Sequence, residues 1–415
     1  MSGTAQNANK GPVDVLLWTQ GSSLFFPKQW QTVANFWWDV AAFTPNTVGN
    51  WGGNTLWTVP NNVTTYLGKI LYKGRFTAAV HTWVTAAYDD FLGYAAPSYA
   101  FMQYGANKID YLGGEFTKFK FYDEQMPLHK RQAVVPYIQG PIPLAQRQLN
   151  LTNGCEVLVE LPFWCTRGYG SVMPLVMGTD MQFGIQWREL GEVIWSAAGD
   201  VGAFTTPPQI VDQQLYIQQI FGAPNEQGEL FTHATNGIMQ LMDRQILSDN
   251  RATQPLVAGQ TTTFTIPTPQ VNIPTTYQNI VLRTVDQVST PFKIDRWRQR
   301  GGLNDPEMRL GQTYWTTTSG NIRQTIPIGV VKPYQSSWFR ENPGLTDATV
   351  QMDVSMQPLL ASTSFGALNT SNLAGYAVIV NVQSLTSTAF PLISIFSTVK
   401  NAQKYQQGNV YPVFQ

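Results

Sequence analysis

Cysteine, histidine and charge are all scarce in this chain. Two cysteines among 415 residues, Cys155 and Cys165, cannot form a disulfide framework and read as free, buried thiols of a reducing compartment. Charged residues make up only 13% of the sequence, where about 25% is usual. The 26 basic and 26 acidic residues cancel, which excludes a protein held on nucleic acid by surplus positive charge and leaves no sign of sequence-specific nucleic-acid binding. The first residues carry no basic stretch followed by an apolar run, so no secretion signal is read there. No window reaches the ~18 consecutive apolar residues of a membrane span. These absences predict a soluble chain made inside a cell.

Catalytic signatures are equally thin. The histidines His81, His129 and His233 have no zinc-site spacing. Gly168-Tyr-Gly-Ser-Val172 lacks the second glycine of a nucleophile elbow, and no phosphate-binding glycine loop is present. Asp89-Asp90 and Asp123-Glu124 could serve a glycosidase, but adjacent acids ordinarily point apart or solvate a loop. No enzyme, metal or cofactor is indicated. The sequons at Asn62, Asn150 and Asn369 matter only in a secreted protein.

What is abundant is apolar and aromatic: 43% hydrophobic residues, 13% aromatic, with 13 tryptophans. Two sizeable cores are within reach, and interfaces favour aromatics over charge, so the composition suits a subunit that buries much of its outside. Glycine (34) and proline (26) cut the chain into short pieces. Between them Val157, Val159 and Leu161 alternate with Glu156, Leu158 and Glu160, and Tyr376, Val378, Val380 and Val382 alternate likewise. Gln278–Val285 has the same character. Many short strands between turn signals argue for an all-β sandwich or barrel. Two segments have helical spacing instead: Trp30, Val33, Ala34, Trp37 and Ala41, and Ile238, Leu241, Met242 and Ile246. Both are expected to be short helices in loops.

The chain also echoes itself. Thr55-Leu-Trp-Thr-Val-Pro60 matches Thr262-Thr-Phe-Thr-Ile-Pro267, and Thr64-Thr65-Tyr66 is echoed by Thr275-Thr276-Tyr277. Both echoes lie about half the chain apart and keep the same order. The expected organisation is two similar β domains, 1–220 with an N-terminal arm and 221–415 with a C-terminal tail. The join is expected between Ala197 and Pro224, where Gly, Pro and Gln collect.

Two segments suit contacts with neighbours. In Lys293-Ile-Asp-Arg-Trp-Arg-Gln-Arg300 an extended backbone places Arg296, Arg298 and Arg300 on one face and Trp297 on the other. That face fits a carboxylate-bearing neighbour, a lipid head group or packaged nucleic acid; a solvated loop is the alternative. At the C-terminus the polar Lys400–Gly408 stretch precedes an apolar tip, Tyr411-Pro-Val-Phe414. Tyr411 and Phe414 either anchor an arm in a neighbour's groove or fold back on their own domain.

Leu161-Pro162-Phe163-Trp164-Cys165-Thr166, followed by Met173-Pro174-Leu175-Val176, resembles the "LPFWF…LPLI" segment of double jelly-roll major capsid proteins of icosahedral double-stranded DNA viruses. Ser23–Pro27 with Asn35-Phe36, Trp57–Pro60 with Leu67–Ile70, and Gly105–Asp110 with Gly114–Phe116 resemble further segments in the same order, and Pro208–Tyr216 echoes the one that closes the first barrel. The resemblance covers roughly residues 20–220. The second half departs from the pattern, with no counterpart of the family's Asn-His-Pro strand, which points to a divergent branch such as a virophage or polinton-like virus.

The resemblance implies an all-β chain of two tandem jelly rolls, each an eight-stranded antiparallel sandwich, with short helices in loops. It implies a structural protein of the virion, made and assembled in the host cell, that trimerises into pseudo-hexagonal capsomers and tiles an icosahedral shell. Implied partners are other copies of itself, penton or cement proteins, and an internal membrane. A minor capsid or scaffold protein of the same lineage is an alternative. A carbohydrate-binding sandwich, with tryptophans as sugar platforms, is the rival class.

Overall fold

The computed structural model describes residues 36–412, apart from 114–127, 167–172, 175–179, 197–199, 223–237, 252–255, 268–273, 286–293, 296–307, 325–348, 354–366, 371–372, 385–389, 407–408 and the single positions 90, 106, 141, 258 and 319. Strands of four or more residues are numbered in chain order. The first eight are β1 (Phe36–Phe43), β2 (Asn54–Val59), β3 (Tyr66–Phe76), β4 (Pro97–Tyr104), β5 (Asn107–Gly113), β6 (Cys155–Glu160), β7 (Met181–Trp187) and β8 (Ile210–Gly222). The next eight are β9 (Ile238–Arg251), β10 (Thr261–Pro267), β11 (Pro274–Val285), β12 (Met308–Thr317), β13 (Gly320–Gln324), β14 (Thr349–Asp353), β15 (Ala377–Ser384) and β16 (Phe390–Gln406); β17 (Asn409–Pro412) follows.

Strand order shows the duplication directly. The first eight strands form two sheets, ordered β1-β8-β3-β6 and β2-β7-β4-β5. The second eight are ordered β9-β16-β11-β14 and β10-β15-β12-β13, the same arrangement with every number raised by eight. The two echoes in the sequence fall on equivalent strands, the first on β2 and β10, the second at the start of β3 and β11. The last strand of the first unit ends at Gly222 and the first of the second begins at Ile238.

Each unit buries its core between its two sheets. In the first, Val157 and Val159 of β6 and Leu215 and Ile217 of β8 point inward, as their alternation requires, against Trp57, Phe183 and Trp187. Tyr72 packs edge-on to Trp57, with ring centroids 5.9 Å apart. Burying each such side chain contributes about 1.5–3 kcal/mol. The indole of Trp187 donates to Thr55 Oγ1 at 2.8 Å, and that hydroxyl donates to Gln213 Oε1 at 2.7 Å, so the buried polar atoms are matched across the sheets. The second unit repeats the device. Val378, Val380 and Val382 of β15 pack against Ile280, Ile393 and Ile395, while Trp315 Nε1 donates to Gln278 Oε1 at 2.6 Å and Gln278 donates to Ser397 Oγ at 2.9 Å.

Both segments expected to be helical are strands where they are described: Phe36–Phe43 is β1 and Ile238–Arg251 is β9. A strand covered on both faces, or an edge strand apolar on both, carries apolar residues at odd and even positions alike, which imitates helical spacing. Residues 30–35 lie outside the description. Among the described residues the α-helices lie in the connections of the first unit: α1 (Leu92–Ala95), α2 (Leu128–Ile138) and α3 (Leu144–Asn153). Helix α3 stops at Gly154, whose φ of +82° turns the chain into β6; a Cβ there would lie 2.7 Å from the Phe76 carbonyl oxygen.

Candidate functional site

The Leu161–Thr166 segment leaves the end of β6 and folds into one tight turn. Leu161 N–H donates to the Ile70 carbonyl at 2.9 Å, continuing the direction of β6 beyond its last paired residue. Pro162 then ends the ladder, because it has no N–H to give. Phe163 N–H donates back to the Leu161 carbonyl at 2.8 Å, and Trp164–Thr166 form a single 3-10 turn. The Thr166 hydroxyl bonds the carbonyls of Leu161 and Phe163, at 3.1 and 3.0 Å. Phe163 is fully buried, 6.0 Å from the Phe183 ring, and Leu161, Trp164 and Cys165 are buried with it.

Asp110 locks this turn to β5. Its carboxylate is 1% exposed; Oδ2 accepts the Trp164 N–H at 2.8 Å and Oδ1 accepts the Tyr111 N–H at 2.9 Å. Two backbone donors thus hold a buried charge. Two of the segments that carry the sequence resemblance, Gly105–Asp110 and Leu161–Trp164, are therefore joined by a direct hydrogen bond.

This junction is also where the two halves meet. Strand β9 lies against both β5 and the Trp164–Thr166 turn, and β17 lies against β5. Phe396, Tyr405 and Val410 of the second half belong to the same packed cluster as the first-half core. Tyr405 is completely buried, and burial, reinforced by neighbouring Tyr104 and Cys165, pushes its hydroxyl well above the usual tyrosine range. These residues were not singled out from the sequence. Tyr104 and Tyr405 become neighbours of Cys165 only through the fold, and no local pattern marks the two tyrosines.

Of the other residues singled out, Ile294–Asp295 pairs with the end of β11, while Arg296, Trp297, Arg298 and Arg300 lie outside the described residues, as does Phe414. Lys400–Gln406 is not a connector; it is the continuation of β16, and Tyr411 lies on β17, which returns antiparallel and pairs Tyr411 with Lys404. The free-arm alternative is thereby corrected for 400–412. The polar stretch is strand because its backbone groups are paired with β9 on one side and β17 on the other.

Among the described residues no group of three or more His, Cys, Asp or Glu could hold a metal. Both cysteines are free, and burial pushes the Cys155 thiol up to about 12, so it is not a nucleophile at neutral pH. Trp57, Trp83, Trp164, Trp187 and Trp315 are buried and offer no sugar platform. Asn150 is buried within α3 and hydrogen-bonded to Gln139 and Gln146. Among the described residues, large exposed apolar side chains include Trp37, Trp38 and Val40 on β1, Val48, Val84, Val201 and Val257 in connections, and Tyr137, Leu144 and Leu149 on α2 and α3.

No protein-family model matches the chain, and no curated protein sequence does. Solved structures do match along nearly its whole length. A model of the PBCV-1 virus capsid aligns over 94% of this chain and 100% of its own, at TM-score 0.71 and 12% identity. The fold is a double jelly roll. The Faustovirus major capsid protein aligns over 92% of both chains, at TM-score 0.67 and 11% identity. A chain of the Sputnik virophage structure aligns over 98% of this one and 94% of its own, at TM-score 0.62 and 9% identity. The double jelly roll is set by strand order and core pattern, which survive such low identity because many apolar sequences fill the same core.

Proposed function

We propose that this chain is a capsid subunit of an icosahedral virus, which trimerises into pseudo-hexagonal capsomers and has no catalytic site. The observation that carries the reading is the doubled eight-strand unit, spanning nearly the full length of viral capsid chains of the same fold. Three copies of a two-barrel chain place six similar barrels round a threefold axis, an outline that tiles a shell. In this reading the first barrel is residues 1–220 and the second 221–415, supported by a first set of strands that ends at Gly222 and a second that begins at Ile238. The described parts of the connections between β3 and β4, β5 and β6, and β7 and β8 belong to the first unit, and connections of this kind suit contacts outside the capsomer. Its place is the virion, assembled with other copies of itself.

Light scattering on the purified protein tests this reading. The expected mass is about 139 kDa, three times the 46.3 kDa subunit. A dilute monomer that melts cooperatively would falsify the capsomer.

A further inference from the structure

The outer face of the first unit's β2-β7-β4-β5 sheet gathers aromatic rings, amides and one cation. Ala100, Met102 and Tyr104 of β4 belong to the core, so Tyr99, Phe101 and Gln103 stand on the opposite face. The register sets Phe101 beside Gly184 of β7, Gln103 beside Gln182, and Lys108 of β5 beside Gln103. Gly184 has a reason to be glycine here, because the far edge of the Phe101 ring occupies the space that a Cβ would take. The half-buried Tyr99 ring is braced by Tyr111, stacked at 4.7 Å.

Lys108 is exposed and lies over these rings, its Nζ 4.7 Å from the Phe101 centroid and 5.3 Å from that of Tyr99. The cations Lys69, Lys73 and Arg75 on the other sheet each have a carboxylate. Lys108 has none among the described residues, and the outward residues of its four strands include no acid. In the same row Gln103 Nε2 donates to Gln182 Oε1 at 2.6 Å. That bond orients both amides and leaves the Gln103 carbonyl oxygen and the Gln182 N–H groups for a further partner. The adjoining turn is open, since a Cβ at Gly105 would meet no atom within 4 Å.

Rings, an amide pair and an ammonium without a carboxylate match the three surfaces of an acidic pyranose: its C–H face, its hydroxyls and its carboxylate. A phosphate backbone calls for a run of cations, and this face has one. An apolar protein surface would leave the amides unpaired. We infer that this face binds an acidic polysaccharide, with uronate units packed on the Tyr99 and Phe101 rings, hydroxyls on the Gln103–Gln182 pair and a carboxylate on Lys108. Charge complementarity selects the occupant. The inference stands on the sheet face alone and is independent of the capsomer reading.

Saturation-transfer NMR on the purified full chain tests it, with tri-galacturonate as the probe and maltotriose as the neutral control. Saturating the protein's aromatic resonances should pass magnetisation to the sugar ring protons of tri-galacturonate. Maltotriose should bind about tenfold more weakly, the difference that one charge-assisted hydrogen bond makes. Lys108→Met, at an exposed position, should keep the melting temperature, weaken tri-galacturonate about tenfold and remove the salt dependence of its binding. Tyr99→Leu keeps apolar bulk without the ring and should weaken both saccharides. Absence of transfer to tri-galacturonate overturns the inference, as does equal binding by wild type and Lys108→Met. Equal affinity for the two saccharides overturns the acidic class. Displacement of tri-galacturonate by poly-glutamate at the same carboxylate concentration would reassign the face to an acidic protein segment.

Discussion

Asp110 shows how one side chain can hold two distant parts of the sequence in register. Its buried carboxylate accepts the N–H groups of Trp164 and Tyr111, and no water is needed to satisfy them. Asp110→Ala leaves both donors buried without that acceptor, and a hydrogen bond to a charged group is worth ~1.5–3 kcal/mol. Urea unfolding should show a loss of at least that size; a midpoint equal to wild type would mean the turn is held by other contacts. Phe163→Ala, which empties a fully buried site, should cost about 3–5 kcal/mol and leave little soluble protein. A residue at the surface behaves differently. Asp200 accepts the Thr85 hydroxyl and N–H and the Val84 N–H, and these bonds, Thr85's first, hold its carboxyl below the usual carboxylate range. A depressed folded pKa makes the clamp complete above the unfolded value of about 3.9 and weakens it as pH falls through the lower folded value. The Val84 and Thr85 amide resonances should therefore hold steady down to about pH 4 and move together below it, and Asp200→Asn should abolish that movement. Titration at or above pH 5 would refute the clamp.

At the scale of elements, how much the sequence discloses depends on how many faces each strand buries. Strand β6 shows clean alternation because one face meets a core and the other does not, and the Thr-x-aromatic-Thr pattern of β2 and β10 is readable for the same reason; in β15 Ala377 and Ile379 are buried along with Val378 and Val380, and only Asn381 and Gln383 turn to a half-exposed face. The turn at Leu161–Trp164 was visible as a motif, but its partner Asp110 was known only as part of a separate segment. Strands β1 and β9 were read as helices because apolar residues at odd and even positions remove the period of two. Strand β16 was read as ending near Phe396, since polar residues follow. In the fold Asn401, Gln403 and Tyr405 are buried between β9, β17 and the first unit, a burial that comes from neighbours far away in the chain. Deleting residues 401–415 removes this stretch and with it Tyr405 and Val410 from the shared core. Each fully buried large side chain carries about 1.5–3 kcal/mol, so the truncated subunit should melt well below the wild type. An unchanged melt with impaired assembly would restore the free-arm alternative.

For the whole molecule the decisive property is that formal charge is balanced. Acidic and basic residues cancel in number, and the cations on the outer face of β3 have carboxylate partners in their own chain. Long-range attraction between copies must then come from local clusters, and the densest one in the sequence is Arg296, Arg298 and Arg300 around Trp297. Ile294–Asp295, just ahead of it in the sequence, pair with the end of β11. If these guanidinium groups meet carboxylates of a neighbouring copy, assembly should weaken as salt rises, because exposed charges are screened over a Debye length of about 8 Å at 0.15 M. Replacing all three arginines with glutamine should lower assembly at low salt, flatten its salt dependence and leave the melting temperature of the subunit unchanged. Trp297→Ala, which removes the apolar side of the same segment, should weaken assembly equally at every salt concentration. The paired variants separate the two contributions: charge acts through a slope against salt, and apolar contact through an offset that salt does not reduce. Identical assembly curves for wild type and the triple variant would return the cluster to a solvated loop.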